Sequence, residues 1–382
     1  MRIGRRMISL IAISLLLTLS PLTARPLESR SLVSDQLGMQ DVWGVAVQGD
    51  RAYLVGYQGI AIVDLTDQAQ PHMVKEFSLP AFGVEFPSTP SFWVEVEDGL
   101  LYVGSLDGLR IFQLSGDSDL QEIGRLRAER AWSFARIGPW AYLLGQFPNL
   151  RGTRLIAVDL SNPSAPEVRG SHAIQLGATE FVASSDLVAL RTESTNQGVE
   201  ILEIRDGYRF VQVGRMRFPE NPFVDAMALD GHRLYLYHPD ALRILELDGR
   251  TGHEIAYYAD WNPGFVTRLF VVGDLLFLGG ASFRSRGVGE FFIYELANLQ
   301  QPVGYLQFNT PMNANLPMAL IARDRRLYLG EGWPYWKLIN CGFLRPPPTN
   351  AGLRIIDISD PSAPREVSYL SAGESFVNDV CR

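Results

Sequence analysis

The chain has 382 residues, of which 47% are hydrophobic and 20% charged, with a formal net charge of −8 at pH 7. That apolar share supports a large core and excludes a disordered or low-complexity protein. The acidic balance argues against nucleic acid and anionic membranes as partners.

The N-terminus differs from the rest. Arg2, Arg5 and Arg6 precede an apolar run from Met7 to Leu19, and Leu22-Thr23-Ala24 offers a small residue for a signal peptidase. Residues 1–24 therefore read as a signal peptide. The run is about a dozen residues, short of the roughly 20 that a spanning helix needs, so no membrane association beyond the signal peptide is expected. Cleavage removes three arginines and lowers the charge to about −11. What remains, 25–382, is expected to be one extracytoplasmic domain, whether periplasmic, cell-surface or secreted, and a monomer. The two cysteines, Cys341 and Cys381, are expected to form a disulfide in such a compartment.

From residue 42 onward one unit recurs. Val42 to Phe77 reads as an apolar strand, a tight turn at Gln48-Gly49-Asp50, a second strand around Tyr53, a Gly-led third strand over Ile60–Leu65, a polar turn ending at Pro71, and a fourth strand over Met73–Phe77. The pattern returns six times, with second strands anchored at Tyr53, Tyr102, Tyr142, Val188, Tyr235, Phe277 and Tyr328, 40 to 51 residues apart. Four strands per unit at that period, with no helical periodicity, is the grammar of a propeller blade. The fold class is all-β, a β-propeller of seven four-stranded blades, with eight blades as the alternative if one is incomplete. Residues 27–37 look like a spare fourth strand and Phe376–Val380 like a spare first strand, so the ends are expected to stitch the first and last blades together.

The third strands and the turns after them, GIAIVDLTD, GLRIFQLSG, RLIAVDLSNPSAP and GLRIIDISDPSAP, resemble the LVIVD repeat family of propellers. The resemblance covers nearly all of residues 40–380 and is most specific in the first, third and seventh copies. In the fourth to sixth copies LEIRDGYRF, LELDGRTGH and YELANLQQP lack parts of the Asp-Ser-x-Pro ending. It implies the fold and no catalytic residue.

First-to-second turns are minimal, whereas the opposite face collects the insertions 81–91, 146–153, 192–197, 282–289, 309–315 and 331–350. Long connections on a rigid scaffold are where binding residues gather. The longest carries Trp333, Tyr335, Trp336 and Phe343 with Lys337 and Arg345, a composition suited to ligand rings, sugars or a protein partner. First strands line the central channel, and their openings hold Trp43, Trp93 and Trp132 with Glu95, Glu180, Asp225 and Arg268. The tryptophans are expected to pack; the charged groups are candidates for binding. Five histidines are too scattered for a metal set, and no nucleophile elbow or phosphate loop is present, so neither metal nor cofactor is implied. The expected function is a non-catalytic binding or scaffold module for a protein, peptide or glycan. The alternative is a hydrolase or lyase at the channel mouth, drawing on Asp225, Glu180, Arg268 and Arg136.

Overall fold

The computed structural model describes residues 29–34, 42–56, 59–78, 93–116, 119–174, 177–192, 198–218, 224–238, 241–248, 252–259, 265–281, 289–308, 316–332 and 352–371. The four tight-turned strands predicted for the first repeat are Gly44–Gln48, Arg51–Gly56, Gly59–Asp64 and His72–Ser78, hydrogen-bonded in that order and antiparallel throughout. Six more sheets follow the same plan, with first strands Trp93–Glu97, Arg130–Ile137, Ala178–Ala183, Ala226–Asp230, Phe265–Val272 and Leu316–Arg323. The protein is a seven-bladed β-propeller, and no helix occurs among the described residues.

Each first strand contacts the first strands of the blades on either side, and the first blade's meets the seventh's, so the ring is closed. Strand alternation explains why both faces of a blade are apolar. Tyr53 and Val55 pack into the seam with blade 2, while Ala52 and Leu54 pack into the seam with blade 7. Seven such seams hold seven separate apolar clusters. A fully buried Leu, Ile or Phe contributes about 1.5–3 kcal/mol, so these seams rather than surface ion pairs carry the ring.

The repeated tyrosine has a definite task. Tyr142 of blade 3 points at blade 4 and donates its hydroxyl to Gly207 O at 2.9 Å. Tyr328 of blade 7 accepts from Gln68 Nε2 of blade 1 at 3.3 Å. In both seams the group reached is the turn between the third and fourth strands of the next blade. That turn also presses a carbonyl onto the preceding blade's fourth strand. A Cβ on Gly124, Gly170 or Gly304 would collide with the carbonyl oxygen of Pro163, Tyr208 or Pro361, respectively. Glycine is thus required at these three positions.

The ring does not close as expected from the spare end segments. Ser29–Ser34 pairs with His72–Ser78 and becomes a fifth, outermost strand of blade 1, and blade 7 is complete in its own consecutive strands. Closure reuses the ordinary seam. Blade 7 has Ser368 where blades 2 and 3 have Gly124 and Gly170, and the Ser368 hydroxyl donates to Gln68 O at 2.7 Å. Around it, Arg326 Nε donates to Gln68 Oε1, Val42 N–H to Glu331 O, and Arg323 to Val47 O. Phe376–Val380 lies outside the described residues.

Candidate functional site

The antiparallel order places every first-to-second and third-to-fourth turn on one face. On that face the recurring Asp-x-Ser/Thr triplet is a backbone cap. Asp64, Asp159 and Asp357 each accept from the N–H two residues on, at Thr66 (2.7 Å), Ser161 (2.9 Å) and Ser359 (2.9 Å). A second cap follows in the same turn, with Asp67 on the Ala69 N–H and Asp360 on the Ser362 N–H. Burial pushes the Asp64 carboxyl up, but Thr66 and Arg51 outweigh it and hold the group at about 2. Hydrogen bonds from Ser359, with Arg365 and Arg326 beside it, hold Asp357 well below the usual carboxylate range.

The opposite face carries different chemistry. Glu180 follows a bulge between Ala178 and Glu180 in the first strand of blade 4, and stands directly across from Arg191 near the end of the second. Arg191 Nη1 lies 3.3 Å from Glu180 Oε2. The same guanidinium donates to Thr179 Oγ1 (3.2 Å) and to two carbonyls of blade 5, Val224 O (2.9 Å) and Asp225 O (3.0 Å). Arg268 follows a similar bulge in blade 6, between Val266 and Arg268, and brings Nη1 to 3.9 Å from Glu180 Oε1. Asp225, just ahead of the first strand of blade 5, is fixed by its N–H to Tyr237 O. Four charged groups from three blades thus gather at the channel mouth on the loop-bearing face.

Their electrostatics follow from confinement. Burial raises the Asp225 carboxyl above its ordinary value, opposed by Arg191. Arg268 is ringed by protein, which lowers its pKa; Glu180 opposes that shift and Arg191 reinforces it. A guanidinium remains cationic under such shifts. Arg268 keeps 40% of its side chain accessible, against 22% for Arg191. Arg191 is therefore the staple that positions the group, and Arg268 is the more accessible of the two guanidinium groups.

The channel candidates divide. Glu180, Asp225 and Arg268 come together, whereas Glu95 pairs with Arg136 at 2.8 Å in the seam of blades 2 and 3. Arg136 also meets Glu97 and lies 4.8 Å over the Tyr102 ring. Burial raises the Glu95 carboxyl against the pull of Arg136. Burial lowers Arg136 in turn, and Glu95 and Glu97 more than offset it. This is a seam contact, and Glu95 and Arg136 do not join the mouth. The tryptophans pack: Trp43 is buried between blades 1 and 2, Trp93 stacks on Phe134, and Trp132 donates Nε1–H to Ala178 O at 3.0 Å. Trp333, Tyr335, Trp336, Phe343, Arg345, Cys341 and Cys381 lie outside the described residues. Of the insertions, residues 146–153 are described, and Phe147 is buried in the seam of blades 2 and 3 with Leu150 packed against it.

Two residues escaped the sequence reading. Three places after each second-strand anchor the copies read Gly56, Ser105, Gly145, Arg191, His238, Gly280 and Glu331. Four of the seven are small, and the three exceptions are Arg191, His238 and Glu331. Glu331 is 1% exposed and takes Arg354 Nε at 2.5 Å; Arg354 also meets Glu366 and lies 4.3 Å over the Tyr369 ring. The same third-to-fourth-strand Arg–Glu pairing recurs as Arg110–Glu122 and Arg243–Glu254.

Residues 40–78, 151–173 and 349–370 match the LVIVD repeat family. This chain is a β-propeller that carries LVIVD repeats. The three matches fall in blades 1, 3 and 7, the blades whose turns carry the Asp-x-Ser/Thr cap. No curated protein matches the LVIVD propeller over its sequence. Solved structures match its fold. A functionally unknown protein from Desulfotomaculum acetoxidans is 12% identical with a TM-score of 0.57, covering 85% of this chain and 96% of that one. The computationally designed Ika8 protein is 13% identical with a TM-score of 0.54, covering 91% and 92%. Hsv2 of Kluyveromyces lactis is 10% identical with a TM-score of 0.54, covering 87% and 99%. At these identities the likeness shows the propeller fold alone.

Proposed function

We propose that this LVIVD propeller is an exported, non-catalytic binding or scaffold module that presents its loop-bearing face to a protein, peptide or glycan. The observation that carries the reading is the convergence of Glu180, Arg191, Asp225 and Arg268 on the face that also bears the longest connections. The recurring aspartates on the other face cap their own turns, whereas these four are gathered from three blades. Export rests on the basic and apolar character of residues 1–24. The test uses residues 25–382 on peptide and glycan arrays, comparing R268M and a W333A/W336A double variant with the turn-face variant D64N. Binding that survives D64N and is weakened by either loop-face change supports the reading; binding lost only in D64N, or none on any array, overturns it. Fusion of residues 1–40 to an alkaline phosphatase that is active only outside the cytoplasm tests export.

A second reading, a hydrolase or lyase at the channel mouth, draws on Asp225, whose carboxyl is raised by burial in the direction a general acid needs. Turnover of an array substrate by the native chain and its loss in D225N would move the assignment to an enzyme.

A further inference from the structure

Independently of that binding reading, we infer that Asp186 and His232 form a proton-dependent clasp across the seam of blades 4 and 5 on the turn face, closed while the imidazole is cationic and open once it is neutral. The two residues stand at equivalent places in neighbouring hairpins. In every blade one residue of the first-to-second turn offers its carbonyl to an N–H at the end of the third strand, and that column reads Asp50, Gly99, Pro139, Asp186, His232, Asp274 and Arg325. Ile204 N–H reaches Asp186 O in this way, and Leu247 N–H reaches His232 O. The shared backbone bond fixes where each side chain leaves its turn, so the acid of blade 4 meets the imidazole of blade 5.

The ring geometry carries the protonation state. His232 Nε2 lies 2.9 Å from Asp186 Oδ2, and Nδ1 lies 3.2 Å from Leu247 O. Both partners only accept, and a neutral imidazole has a single N–H, so the two bonds are made together only by the imidazolium. The carboxylate is aimed: the Ser184 and Ser185 hydroxyls donate to Asp186 Oδ1 at 3.4 and 3.3 Å, and Oδ2 is turned to the ring. Other charges stand around the pair. Glu246 takes Arg233 Nε at 3.1 Å, Glu203 of blade 4 takes Arg205 at 2.7 Å, Asp230 and Asp248 flank the imidazole along blade 5, and Asp274 holds the same column in blade 6. Arg250 lies outside the described residues. The bond to Asp186 raises the imidazole above its ordinary value against the pull of burial, and Leu247 O and Glu246 add to the rise. The clasp is therefore complete below about pH 6.5 and is lost as pH rises through the higher value of the folded chain. Both side chains are about half exposed, so solvent protons reach the ring. At the loop-face end of the same seam Arg191 holds Val224 O and Asp225 O, and a guanidinium keeps its charge throughout that range. Rising pH thus releases one end of the seam and leaves the other tied.

The experiment is a pH titration of residues 25–382 followed by nitrogen–proton correlation NMR of the five histidine rings, the His232 signal being assigned by its loss in H232Q. The expected result is a His232 ring protonated on both nitrogens at pH 5, titrating above 6.5 in the native chain and returning toward 6.5 in D186N. Between pH 5 and pH 9 the native urea midpoint falls by about 0.2 M more than that of H232Q. Over the same range amide exchange, corrected for its intrinsic rise with pH, quickens at Ile204 and Leu247 in the native chain while Asp225, bonded to Tyr237 O, keeps its protection. Titration of His232 at or below 6.5, a value unmoved in D186N, or a midpoint that falls equally in H232Q overturns the clasp. Exchange that quickens equally at Asp225 overturns the one-ended release.

Discussion

The two faces of the ring use polar residues in opposite ways. On the turn face, blades 1, 3 and 7 repeat one Asp-x-Ser/Thr cap, and each aspartate holds backbone within two residues of itself. On the loop face, blades 4, 5 and 6 contribute one or two charged groups each, and they meet across blade boundaries. The blades that keep the LVIVD motif are therefore not the blades that build the charged mouth. Where the repeat decays, the ring has acquired individuality, which is how a symmetric scaffold comes to hold an asymmetric site.

The comparison can be broken by substitutions graded in size. The largest effect is expected at Glu331, where E331A takes from the buried Arg354 guanidinium the carboxylate that holds its Nε and lowers stability by about 3–5 kcal/mol, read from urea unfolding. Next comes G170V, whose side chain meets the Tyr208 carbonyl of blade 4 and costs up to about 3 kcal/mol by overpacking the seam. D357A removes the Ser359 cap together with the contacts of Arg326 and Arg365, and a loss of about 2 kcal/mol is expected; D357N, which keeps the cap acceptor, recovers part of it.

A smaller effect is expected from acid. The Asp64 carboxyl titrates at about 2 in the fold against a reference value of 3.8, so its contribution is complete above about pH 4 and is lost as pH falls through about 2. D64N flattens the fall of the urea midpoint across that window; an unchanged slope would remove Asp64 from the account. The smallest effect on stability belongs to the mouth. E180Q and R268M change the unfolding free energy by no more than about 0.5 kcal/mol, since the Glu180 pairs with Arg191 and Arg268 are long and partly solvated. A large loss there would make the mouth another structural seam and erase the difference between the faces.

Much of this architecture was legible before any coordinates. Second-strand anchors, Gly-led third strands and two-residue turns each report a local backbone requirement, and local requirements leave marks at fixed spacing. Glu180, Asp225 and Arg268 were legible as candidates because they stand at first-strand openings. Glu95 stood in a similar place, yet its partner Arg136 draws it into the seam of blades 2 and 3. Arg191 went unread because its value lies in reaching Val224 and Asp225 of the next blade, a relation that no single copy displays. Ring closure was misread for a related reason. Ser29–Ser34 has strand character, but strand character does not say which edge it joins, and the outer edge of blade 1 took it.

The sequence by itself determined the repeat, the four-strand plan of each blade and the face on which the chain lengthens, because each depends on contacts between residues near in sequence; the seven sheets settle the blade count that it left at seven or eight. Only the tertiary structure decided how the ring closes and which charged groups share the channel mouth. Those outcomes depend on the register between blades, set where Ser368 meets Gln68 and where two strand bulges turn Glu180 and Arg268 toward one another.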